Sequence, residues 1–185
     1  MNRHDLQAMR APDLIEPVIG FRQWRMASEG LLSITCEEKW PEATLVARCL
    51  ASRGGDCHPQ HAAPVSACSC GIHAWYKPCP RTASAPTRDW VAGAVVLWGA
   101  IELHGSGMRA QHCRIVALAL PLSCWGKRRR LVEVARRLGV PAVRHCDLEA
   151  IASSHGAPVP MALRPPPSSI RFTQRPNTLK SPIPN

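Results

Sequence analysis

Trp90-Val-Ala-Gly-Ala-Val-Val-Leu-Trp-Gly-Ala-Ile-Glu-Leu-His104 runs into Gly105-Ser-Gly107, and Met108-Arg-Ala-Gln-His-Cys-Arg-Ile-Val-Ala-Leu-Ala-Leu120 returns from it. β-Branched and aromatic residues fill the first arm, and two glycines around a serine are a tight-turn signal. The stretch therefore reads as a long antiparallel hairpin ending at Pro121. Gly93 and Gly99 interrupt its first arm, where a glycine marks a bulge or a close backbone approach. The hairpin should bend, and the expected fold is α+β: a small antiparallel β-sheet or half-barrel built around residues 90–120.

Downstream, Lys127 to Leu138 is an amphipathic helix with Leu131, Val134, Ala135 and Leu138 on one face, stopped by Gly139. Val140 to Val143 is a short extended piece. Asp147 then caps a second helix carrying Leu148, Ile151, Ala152 and His155, ended by Gly156. The order helix–strand–helix competes with a helix-turn-helix, whose second helix would begin near Pro141. The position of Asp147 starts that helix too late for a compact turn and favours helix–strand–helix. Residues 157–185 hold eight prolines and no acid, which predicts a proline-rich, disordered or extended tail.

Upstream, residues 1–20 are polar and punctuated by Pro12 and Pro17, and read as a flexible N-terminus. Between Phe21 and Thr35, Gly30 separates Trp24 and Met26 from a short strand over Leu31–Thr35. Pro41 to Ser52 reads as a helix, with proline at its first position, Glu42 in the first turn, and Leu45, Val46 and Cys49 on one face. The domain expected is 21–156, with a Cys/His metal loop over 49–79. Six tryptophans spread through the chain fit one shared core.

Residues 53–89 contain five prolines and no clear element, with Arg81–Asp89 as an exposed linker. A loop of that length inside a compact domain needs a restraint. Four cysteines and three histidines lie between Cys57 and Cys79. Cys68-Ser-Cys70-Gly71 can aim two sulfurs at one point, because glycine lets the backbone curl without a Cβ clash. Zinc takes four such soft or borderline donors in a tetrahedron. Cys49, His61, Cys68 and Cys70 are the expected ligands, with Cys57, His58, His73 and Cys79 as alternates. Cys36, Cys113, Cys124 and Cys146 stand alone in apolar contexts and read as core.

His61-Ala-Ala-Pro64, Cys68-Ser-Cys70-Gly-Ile72 and the Trp98-Gly99 pair resemble a family of small bacterial proteins, mostly actinobacterial. The resemblance covers about residues 20–160 and brings no activity with it. It implies that His61, Cys68 and Cys70 belong to the family pattern. Such proteins carry Tyr after Gly-Ile; His73 stands there in this chain, as a ligand or as a substitute ring.

The net charge of +10 is uneven. Ten Lys/Arg and ten Asp/Glu cancel over residues 1–102, whereas 103–185 hold thirteen Lys/Arg against Glu133, Asp147 and Glu149. Lys127, Arg128, Arg129, Arg130, Arg136 and Arg137 form the densest cluster and are the candidate nucleic-acid-binding residues, or else a solvated helix face. An acidic protein is the other partner such a surface fits. No apolar run is long enough for a membrane span, and Met1–Arg25 lacks the apolar segment of a signal peptide. A cytoplasmic protein is expected, in which cysteines serve as ligands or core rather than disulfides. The function that these features favour is a zinc-stapled binding module. The alternatives are a cysteine- or metal-dependent hydrolytic enzyme, with Cys68 or Cys70 beside His61 or His73, and an interaction scaffold using the tail. No Gly-rich phosphate loop, His-Glu-x-x-His or Gly-x-Ser-x-Gly element supports the enzyme.

Overall fold

The structure, a computed structural model, describes residues 9–10, 16–49, 61–78, 90–121 and 125–166. Its centre is the expected hairpin: β7 (Trp90–His104) against β8 (Gly107–Ala119), with His104 opposite Gly107. Earlier strands are β1 (Met9–Arg10), β2 (Val18–Ala27), β3 (Gly30–Ser33), β4 (Lys39–Trp40), β5 (Thr44–Val46) and β6 (Ile72–Trp75). Helix α1 (Trp125–Leu138), β9 (Ala142–Val143), helix α2 (Leu148–Ser153) and β10 (Ala157–Pro158) follow. The class is mixed α+β, with a mostly antiparallel sheet and two short helices at the C-terminal side.

The hairpin bends where its glycines stand. Register shifts fall between Ala94 and Val95 and between Trp98 and Ile101. Gly99 has φ of +78°, a conformation that a Cβ disfavours. Gly93 lies so close to β8 that a Cβ there would sit 2.5 Å from the Ala117 carbonyl oxygen. The bend lets the sheet close. β2 pairs with the first half of β7, β6 pairs with the start of β8, and β2 meets β6 at Phe21 and Trp75. The pairings thus run round a ring β2–β7–β8–β6, and the sheet is the small, mostly antiparallel one expected, curled around its bent hairpin.

Alternation along β2 sends its side chains to two cores. Val18, Trp24 and Met26 join Val95, Leu97, Met108, Cys113 and Ile115, together with Leu131, Val134 and Ala135 of α1. Ile19 and Phe21 join Ala94, Val96, Val116 and Ala117, covered by Leu148 and Ala152 of α2.

Several local expectations are corrected. Residues 44–46 form β5, not part of a helix over Pro41–Ser52. Ala43, Leu45 and Ala47 are half-buried and packed against the core, whereas Thr44, Val46 and Arg48 are exposed. That two-residue period suits a strand pairing with β8, and the pairing outweighs the helix-start signal of Pro41 and Glu42. Residues 18–20, placed in the flexible N-terminus, open β2. The start of the proline-rich tail is ordered: Ala157–Pro158 pairs in parallel with Val18–Ile19, Val159 is buried, and the Arg164 guanidinium sits 4.5 Å from the Tyr76 ring. Residues 167–185 and the 81–89 linker lie outside the described residues. Asp147 occupies the N-cap position of α2, but its carboxylate bonds Arg144 rather than the helix amides. The interhelical segment holds β9 and the turn His145–Asp147, so the helix-turn-helix alternative does not form. Of the tryptophans, Trp24 and Trp40 are core, stacked edge-on at 5.4 Å, while Trp75 and Trp125 are exposed.

Candidate metal centre

Three separate segments deliver the donors. β5 leads directly to Cys49, anchored by the Ala47 amide donating to the Gln111 carbonyl at 2.7 Å. The alternation that faces Ala43, Leu45 and Ala47 inward carries on to Cys49, which is half-buried like them. His61 enters from the stretch before Ala63, a buried residue. Cys68 and Cys70 come from the turn that feeds β6, closed by the Cys68 amide donating to the Val65 carbonyl at 2.9 Å. Ser69 between them faces solvent, so the two sulfurs share one side.

The ligand atoms of Cys49, His61, Cys68 and Cys70 all lie within 4.8 Å of one another. The Cys49 and Cys68 sulfurs are 3.8 Å apart, and His61 Nε2 lies 3.1 Å from Cys70 Sγ. Tetrahedral coordination with metal–sulfur bonds of about 2.3 Å separates two sulfurs by about 3.8 Å. The Cys70 amide points at Cys68 Sγ at 3.4 Å, a donor that favours thiolate. This cluster can hold a metal ion. Burial first, and the neighbouring Cys68 thiol second, push the Cys70 thiol up to about 11, so a cation must displace its proton to bind.

Beneath the turn lies a polar support that the sequence reading missed. Arg109 Nη1 donates to the carbonyls of both Cys68 and Cys70, the latter at 3.0 Å. Its Nη2 pairs with Glu102, and its Nε donates to His104 Nε2 at 3.1 Å. Ser66 Oγ donates to the other Glu102 oxygen at 2.6 Å. The ion pair is deep, with side chains 7% and 6% exposed. Arg109 and His104 thus meet across the hairpin turn as part of this buried network. The available signal was the register: the Gly105-Ser106 turn sets Glu102 opposite Arg109. Gly71 completes the seat. Its φ is +113°, and a Cβ there would lie 3.1 Å from both Arg109 Cβ and Pro64 Cβ.

Of the alternates, His73 is among the described residues. His73 is not one of the four donors; it lies on β6 opposite Arg109. Burial first, then Arg22, Arg109 and His104, lower its imidazole to about 4. A histidine held neutral in the fold but free to ionise when unfolded destabilises the fold as pH falls from about 6.5 towards 4, by on the order of 3 kcal/mol. Chemical denaturation across that range should show this slope, and His73→Gln should remove that part of it. An unchanged slope in the variant would contradict the assignment. Cys57, His58 and Cys79 lie outside the described residues, as does Cys124. Cys113 is core, as expected, but Cys146 is exposed and Cys36 half-buried.

The basic cluster lies on α1, whose buried side is Leu131, Val134 and Ala135. Lys127 turns inward, its ammonium donating to the Trp90 carbonyl at 2.9 Å. Arg136 pairs with Glu133 at 2.9 Å. Arg128, Arg129, Arg130 and Arg137 are exposed and, among the described residues, have no carboxylate partner in a salt bridge. No helix among the described residues is long and apolar enough to cross a membrane.

No family model, no curated protein and no solved structure matches this chain.

Proposed function

We propose that this chain is a zinc-stapled binding module whose basic helix contacts nucleic acid or a similar polyanion. The observation that carries the zinc reading is the Cys49–Cys68 sulfur separation of 3.8 Å within a four-donor cluster. Three thiols and one imidazole suit zinc better than the oxygen-seeking magnesium or calcium. Four protein donors also describe a closed, structural site, whereas a catalytic zinc keeps one position for water or substrate. That weighs against a metal-dependent hydrolase. Burial, which pushes the Cys70 thiol up to about 11, also weighs against Cys70 as a thiolate nucleophile.

The polyanion reading rests on charge placement. Four arginines project from one short helix, in the half of the chain that carries the whole positive surplus. Elemental analysis of purified protein should find one zinc per chain, and cobalt substitution should give the absorption of a tetrahedral thiolate site. Gel-shift titration with a nucleic-acid probe should show affinity falling with salt, at a log–log slope of about −3 for four phosphate contacts. Changing Arg128, Arg129, Arg130 and Arg137 together to Gln should abolish the shift while leaving the zinc content intact. A shift insensitive to salt, or unaltered in the variant, would remove the basic helix from the proposal.

A further inference from the structure

The outward stripe of α1 is not uniformly charged. Trp125, Arg129, Val132 and Arg136 stand at positions i, i+4, i+7 and i+11, which a helix of 3.6 residues per turn places on one line. That line lies away from Leu131 and Val134, which with Ala135 bury against the sheet. Trp125 is 89% exposed and Val132 46% exposed. A fully solvated indole at the head of an arginine-rich helix contributes nothing to the core, whereas Trp24 and Trp40 are buried. Arg128 and Arg129, three and four residues on, flank the indole in the next turn.

We infer that this face binds single-stranded nucleic acid, with a base stacked on Trp125 and the adjoining phosphates held by Arg128 and Arg129. The inference rests on the polyanion reading above and names the partner within it. Every base has a π-face, whereas in a duplex those faces are covered by stacking. An exposed indole beside cations therefore selects unpaired strands, while arginines alone do not discriminate. Arg129 continues the electrostatic track along the helix, and Val132 one turn on gives an apolar contact for a sugar or base edge.

Fluorescence anisotropy with a labelled oligothymidylate, against a duplex of equal length, tests this on the full zinc-loaded chain. The single strand should bind at least several-fold more tightly than the duplex at low salt. Trp125→Ala should weaken single-strand binding about tenfold and leave duplex binding unchanged. Trp125→Phe should restore most of the loss, since a ring rather than the indole N–H is what stacks. The exposed position makes these variants safe for folding, which unchanged circular dichroism and zinc content would document. Equal binding of strand and duplex, both indifferent to Trp125→Ala, would overturn the stacking inference and leave the basic-helix proposal standing. Binding to neither oligonucleotide would overturn both, and binding only to anionic phospholipid vesicles would reassign the face to a lipid surface.

Discussion

On the proposed zinc reading, Cys68→Ser or Cys70→Ser should abolish metal binding and lower stability by about 4 kcal/mol or more. The connection from β5 to β6 is long for a compact domain, and ordering such a segment has an entropic cost that a bound ion would offset. An ion bound a thousandfold above its dissociation constant stabilises the fold by about 4 kcal/mol through mass action alone. Serine retains the shape but replaces a thiolate with a hard, weakly acidic hydroxyl, so one of four donors is lost. Thermal unfolding followed with and without chelator gives the measurement. Chelator should lower the midpoint of the native chain, and should do little further in Cys68→Ser, because both act on one site. Cys113→Ser, away from the cluster, should keep full metal content. A midpoint in the native chain that ignores chelator would remove the staple from this account.

Arg109→Met should be as damaging, for a different reason. It takes the cation away from Glu102 and leaves a carboxylate buried against the hairpin, a situation that costs about 3–5 kcal/mol. It also frees the Cys68 and Cys70 carbonyls that Arg109 Nη1 holds together. Partners outside the coordination shell that orient ligands in this way are worth about 10–100-fold in metal affinity. The double variant Arg109→Met/Glu102→Leu separates the two effects. Removing both charges should restore a large part of the stability, while metal affinity, measured by competition with a chromophoric chelator, should stay low. Full recovery of both quantities would reduce Arg109 to a simple ion-pair partner, and undiminished affinity in Arg109→Met would contradict its role under the turn.

These effects trace to features with very different visibility in the chain. The hairpin was legible because its information is local: apolar, β-branched and aromatic arms, a Gly-Ser-Gly turn, and glycines at the two places where the strands bend. The helix expected over Lys127–Leu138, and found from Trp125, was legible for the same reason, since Leu131, Val134 and Ala135 repeat at the helical period. Cys49 shows the limit. Pro41 and Glu42 signal a helix start, yet Thr44–Val46 is a strand because a β8 edge is available to pair with it, 65 or more residues away. The half-buried spacing of Ala43, Leu45 and Ala47 was the weaker trace of that outcome.

What the chain determines by itself is the supply of parts: a bent hairpin, an amphipathic basic helix, and sulfur and imidazole donors on a proline-punctuated segment. Only the tertiary structure decides which donors meet, because β5 and β6 both pair with β8 and so bring Cys49 and the Cys68–Cys70 turn together, with His61 beside them. It alone buries Glu102 and Arg109, turning a pair across a hairpin into the seat of the Cys68–Cys70 turn, since desolvation is set by what packs around a charge. It likewise leaves Trp125 in water while Trp24 and Trp40 are enclosed, a distinction that no single tryptophan carries in its own flanking residues.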